Sequence, residues 1–286
     1  MSSAYQQLSA IFQRLSRFSH LSAIAGCDMQ TTMPPGGSRA RGEALAEMSV
    51  LQHEILTDKR VGDLIQEAEQ QSLNDVERAN LLEIRRAYQQ ATLLPASLVE
   101  AKSIAGSHCE HAWRQQRPAN DWKGFSANLK EVVRLSREEA QLRADANGSS
   151  RYDALLDVFE PGMTSAKLDS TFGELKTWLP DLLQQVVEKQ SQQEIIHPKG
   201  PFPVNAQREL GLDIMKVLGF DFNHGRLDVS AHPFCGGVPE DVRITTRYNE
   251  NEFLSAMMGV IHETGHARYE QNLPQQWRGQ PVALAR

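Results

Sequence analysis

Three cysteines in 286 residues, Cys27, Cys109 and Cys235, are too few, odd in number and too far apart to staple a fold. They read as free thiols of a protein kept in a reducing compartment. The chain lacks any apolar run of transmembrane length, so no membrane association is expected. It also lacks a basic block, and its formal net charge of −6 argues against a phosphate-tracking surface, so nucleic acid is not an expected partner. No repeat, low-complexity tract or linker long enough to force a domain boundary is visible. One export signal has to be weighed. Ile24-Ala25-Gly26-Cys27 has the form of a lipoprotein cleavage box, but Ser16–Ser22 before it is too polar for a signal-peptide core. Tyr5, Leu8, Phe12 and Leu15 recur upstream at helical spacing, which fits an amphipathic packing helix in a cytoplasmic protein.

What is there reads mostly as helix. Hydrophobic content of 40% with 23% charged residues is ordinary for a globular chain, long enough for one large core or two small ones. Asn74-Asp75-Val76-Glu77 has the form of a capping box, opening a helix that carries Leu81, Leu82, Ile84 and Tyr88. A second helix is expected from Trp122 to about Ala146. A third should start near Thr164 and carry Leu168, Phe172, Leu175, Leu179, Leu182 and Val186, kinked or divided by Pro180. Turns are marked at Pro34–Gly37, Asn147–Ser150, Glu160–Gly162 and His197–Pro201. Val242–Tyr248 is β-branched and aromatic and argues for a strand, with Leu227–Ser230 as its pairing partner. The fold class is all-α: a helical body with a small β-sheet just before one particular helix.

That helix carries the chemistry. Phe253–Ile261 is apolar and helix-compatible, with Asn249 or Asn251 able to cap it, and it runs into His262-Glu263-Thr264-Gly265-His266. Residues four apart share a helix face, so His262 and His266 can reach one tetrahedral zinc ion. Glu263 points about a quarter-turn away, where it can act as general base on a water at the metal. The strand at Val242–Tyr248 either holds an extended substrate by backbone hydrogen bonds or forms a plain structural hairpin. His232–Gly237 reads as a turn with a satisfied loop histidine, and His108-Cys109-Glu110-His111 as a helix surface rather than a second metal site.

A catalytic zinc normally has three protein ligands, and two are present. The offsets that would carry a third histidine hold Tyr269 and Asn272 instead. After His266 the only acidic residue is Glu270, one turn further along the same helix, where it would lie in a row with the histidines and could not enclose a metal.

The chain resembles the carboxypeptidase Taq family of metallocarboxypeptidases along essentially its whole length. The resemblance is strongest in Ala231-His232-Pro233-Phe234, in Asp241–Tyr248 and in Ile261–Gln271, which correspond to the family's HPF, DxRxT and HExxH motifs. Weaker echoes are Asp28–Gly37 and Tyr152–Gly162. The resemblance implies a mostly helical fold with a long groove and release of C-terminal residues from peptides with broad specificity. It further implies a single zinc replaceable by cobalt, held by His262 and His266 with Glu263 as base, and a homodimer. Asp241, Arg243 and Thr245 would sit beside the site. Two departures stand out: Cys27 occupies a position where the family usually has tryptophan, and the family's glutamate ligand, in an HES motif, lies beyond Arg286. The expectation is therefore a single truncated catalytic domain over residues 1–286, weakly active or inactive. A zinc endopeptidase with the same core, and a non-catalytic remnant or half-enzyme needing a separate C-terminal part, remain alternatives.

Overall fold

The structure, a computed structural model, describes residues 2–194 and 198–284. Its helices are α1 (Ala4–Thr31), α2 (Ser38–Thr57), α3 (Lys59–Ala68), α4 (Asp75–Thr92), α5 (Ala96–Gln116), α6 (Trp122–Asn147), α7 (Arg151–Phe159), α8 (Ser165–Gln190), α9 (Val204–Val217) and α10 (Leu254–Gln271). Strands β1 (Gly225–Val229), β2 (Cys235–Val238) and β3 (Asp241–Thr246) lie between α9 and α10. The fold is mostly helical with one small sheet, as the sequence pattern predicts. Among the described residues no helix is long and apolar enough to cross a membrane. The chain forms two compact units, one joining the residues up to Thr92 with those from Gly200 onward, the other spanning Leu93–Lys199.

In the first unit the helix starts follow from capping chemistry. Ser3 Oγ accepts from the Gln6 amide at 3.2 Å while Gln6 Oε1 accepts from the Ser3 amide at 3.0 Å. The same reciprocal pair joins Asn74 and Glu77, 2.9 Å each way, and opens α4. Each box satisfies two amides that a helix start leaves without partners. Tyr5, Leu8, Phe12 and Leu15 of α1 pack with Val61, Leu64, Ile65 and Ala68 of α3 and with Leu81 and Ile84 of α4. Leu8 and Ile84 are fully removed from water, worth roughly 1.5–3 kcal/mol apiece. Ile24–Cys27 lies inside α1, with Cys27 buried.

A polar clamp ties the far end of this unit to its beginning. The fully buried Asn80 amide donates to Gln280 Oε1 at 3.0 Å and to the Tyr5 hydroxyl at 3.1 Å. Asn80 Oδ1 accepts from the Val282 amide at 3.1 Å, and Gln280 donates to the Ser9 carbonyl at 3.0 Å.

The second unit holds α5 to α8. Asp121, Ser150 and Thr164 cap α6, α7 and α8, and Gly148 ends α6 at φ 66°. Glu139, buried on α6, takes Lys102 of α5 and Arg143 of its own helix as partners. Pro180 does not divide α8, which runs on to Gln190. The proline removes the donor for the Lys176 carbonyl, but every residue from 176 to 190 is exposed, so water can take that bond. His108 is exposed and Cys109 buried on α5, as a helix surface would have them; the His111 side chain and His197 lie outside the described residues.

The sheet has the order β1-β3-β2. β1 runs parallel to β3, Leu227 opposite Ile244, which is the pairing read from the sequence. β2 runs antiparallel to β3, Cys235 opposite Ile244, so the segment read as a bare turn is partly strand. Gly237 permits this hairpin: at φ 106°, a Cβ there would sit 2.0 Å from the Asp241 carbonyl oxygen. β3 is therefore the central strand, paired on both sides among the described residues. The outer edge of β2 is unpaired among the described residues.

Candidate metal centre

α10 packs against the sheet through Val260 and Ala267, which join Val242, Ile244, Leu227, Met215 and Phe220 in a second core. Neither Asn249 nor Asn251 caps it. Glu252 does, its carboxylate accepting from the Ser255 amide at 3.1 Å, while Asn249 Oδ1 is turned to the Asn251 amide at 2.9 Å. An anion at the start of a helix also suits its dipole. The loop before α10 is held by Gln207, whose amide donates to the Phe202 carbonyl at 2.7 Å and the Asn249 carbonyl at 2.9 Å.

With Val260 and Ala267 turned inward, His262 and His266 fall on the exposed side of α10. Their Nε2 atoms stand 3.2 Å apart, with the rings at 84° to one another. Two nitrogens each held about 2.0–2.1 Å from a tetrahedral zinc would stand about 3.3–3.4 Å apart, so the pair is already at ligand spacing. The residues present fit half of a zinc centre. Among the described residues no group of three or more His, Cys, Asp or Glu side chains could complete it.

Glu263 is buried, 8% exposed, on the α10 face toward Cys235 of β2. Burial pushes the Cys235 thiol up to about 12, and the nearby charges of Glu263 and Glu270 add to this. Burial also raises Glu270, against the pull of His266. Sequence reasoning missed Cys235, although its place two strand positions from Gly237 and opposite Ile244 puts it on the α10 side of the sheet.

Asp241, Arg243 and Thr245 project from the other face of β3, away from the α10 core. Arg243 grips Asp241 with two parallel bonds, Nε to Oδ1 at 3.0 Å and Nη2 to Oδ2 at 2.9 Å. The Arg243 hydrogen bond holds the Asp241 carboxyl below its usual range, while His20 and Arg226 add smaller favourable charge. Burial raises the Cys27 thiol of α1, and the Arg243 charge beside it works the other way. Thr245 organises the His232–Phe234 turn. Its Oγ1 accepts from the Phe234 amide at 3.0 Å and lies 2.7 Å from Ser230 Oγ, which reaches the His232 carbonyl at 2.6 Å. The His232 ring itself is exposed.

The comparisons with known proteins decide the lineage. The family model described as carboxypeptidase Taq (M32) metallopeptidase matches residues 7–286. The chain belongs to this family. It is 38% identical over 97% of its length to Thermostable carboxypeptidase 1 of Thermus thermophilus and 33% identical over 94% to Carboxypeptidase 1 of Bacillus subtilis. It also superposes on Trypanosoma cruzi metallocarboxypeptidase 1 with a TM-score of 0.90 at 47% identity, covering 99% of this chain. The chain spans only 57% of the Thermus protein, 54% of the Bacillus protein and 57% of the Trypanosoma chain. M32 membership implies a divalent metal, which agrees with the spacing of the two imidazoles.

Proposed function

We propose that the chain carries the two-histidine part of the zinc centre of a metallocarboxypeptidase that removes C-terminal residues from peptides with broad specificity. The observation that carries this reading is the 3.2 Å separation of His262 and His266 Nε2 on an exposed helix face, in a chain of the M32 family. His262 and His266 would hold the metal, zinc or cobalt in its place. When bound, zinc supplies Lewis acidity that polarises a carbonyl and makes water more acidic. Glu263, one residue along, would take the proton from the attacking water and pass it to the leaving nitrogen. The outer edge of β2 has no strand partner among the described residues, and an extended peptide would pair there. We further expect a cytoplasmic homodimer.

Because no third ligand is found among the described residues, the chain by itself is expected to hydrolyse a peptide with a free C-terminus no faster than a Glu263→Gln control. Chelator-sensitive hydrolysis that Glu263→Gln abolishes would contradict this. In that case equal rates on the free and the C-terminally amidated peptide would mark an endopeptidase instead.

A further inference from the structure

We propose that a cleft at the C-terminal end of α10 binds a small oxyanion, a phosphate or carboxylate group, with Arg268 as its anchor. The cleft has a volume of about 210 Å³, and Asp221, His224, Arg268, Asn272, Gln275 and Arg278 form its wall. Five residues on from Glu263, Arg268 lies about 140° round the helix, so the site is separate from the metal centre and does not rest on that reading.

The charges in the wall are not equally committed. The Asp221 carboxylate accepts from the Asn223 amide at 2.9 Å and the Asn223 side chain at 3.1 Å, and pairs with His224 Nδ1 at 2.7 Å. These bonds, the Asn223 amide first, hold its carboxyl below the usual range. Arg278 is committed too. It pairs with Glu240 at 2.8 Å and donates to the Gln271 carbonyl at 3.1 Å and the Leu273 carbonyl at 3.3 Å. Asn272 donates to the Arg268 carbonyl at 2.6 Å. Arg278 and Asn272 thus satisfy the carbonyls at this helix end, the task that usually engages a cation there.

Arg268 is the cation left over. Half-buried, its side chain makes no hydrogen bond or ion pair among the described residues. A Cβ at Gly219 would lie 3.5 Å from Arg268 Cζ, so the guanidinium rests beside that turn. A planar guanidinium held in a polar cleft with its donors unspent matches two oxygens of one phosphate or carboxylate side by side. The Gln275 side-chain amide, and the His224 imidazole when protonated, offer further donors. The wall carries two guanidiniums against one carboxylate, so the field inside the cleft favours an anion.

The test titrates the isotope-labelled chain with inorganic phosphate, and separately with acetate, at constant pH and ionic strength, and follows side-chain N–H signals by NMR. The expected result is a saturable shift of the Arg268 Nε–H and Gln275 amide signals with at least one of the two anions. Tighter binding of phosphate marks a phosphate-type ligand, tighter binding of acetate a carboxylate. Read at Gln275, Arg268→Gln should weaken binding about tenfold, the loss of a charge-assisted hydrogen-bond pair. Arg39→Gln, which removes the same charge from an exposed position on α2, should leave it unchanged. The parent titration stands even where Arg268→Gln does not fold, because its shifts map the site directly. Shifts that fail to saturate with both anions, or that centre on another part of the chain, would overturn the proposal. So would equal losses from Arg268→Gln and Arg39→Gln.

Discussion

The hydroxyls of Ser230 and Thr245 lie 2.7 Å apart inside the first unit and join the residue after β1 to the far end of β3. Each hydroxyl has one proton. Since the Ser230 proton goes to the His232 carbonyl, Thr245 donates to Ser230 and accepts from the Phe234 amide. The chain of bonds leaves no buried group unsatisfied and fixes the turn that carries His232. Thr245→Val keeps the shape and removes both roles, leaving the Phe234 amide without a partner. It should destabilise the protein by about 1–3 kcal/mol, measured as a lowered urea midpoint with unchanged slope.

Asn80 offers a similar test at the other end of the same unit. Replacing it with leucine would orphan the Val282 amide and Gln280 Oε1 together. Asn80→Leu should lower unfolding free energy by roughly 2–4 kcal/mol. It should also speed hydrogen exchange at Val282 well beyond the global change. Equal protection at Val282 in both proteins would mean that the clamp is not holding that segment.

The Asp241–Arg243 pair makes a prediction in pH. Asp241 titrates below its ordinary 3.8 in the folded protein, because Arg243 hydrogen-bonds the charged carboxylate and adds favourable charge. A carboxyl with a depressed folded pKa contributes stability above its unfolded value and loses it as pH falls through the folded value. Asp241→Asn should therefore melt at a lower temperature than the parent at pH 7. The gap should begin to narrow as pH falls through the unfolded carboxyl value of about 3.9 and close only below the still lower folded value, where the folded parent is protonated too. A gap independent of pH would assign the effect to packing.

Much of this architecture is legible in the residues themselves. The capping box at Asn74, the apolar spacing of α1 and the β-branched run of β3 are local signals, and the structure follows them. β2 was hidden because Gly236 and Gly237 carry turn chemistry; only the pairing with β3, a contact between segments, turns that stretch into a strand. Asparagine is not the cap of α10 because the Glu252 carboxylate, two residues before the helix, reaches the Ser255 amide instead. That His262 and His266 share one face of α10 is readable from their helical spacing. The burial of Glu263 against Cys235, and the turning of Asp241 and Arg243 toward α1, depend on which face of the sheet meets α10, and no spacing in one segment encodes that.

Cobalt titration of the purified chain tests the central claim most directly. We predict a saturable visible absorption from cobalt held by two imidazoles. His262→Ala and His266→Ala should each abolish it, and Glu263→Gln should keep it. A spectrum that survives removal of both histidines, or that disappears with Glu263→Gln alone, would contradict the account.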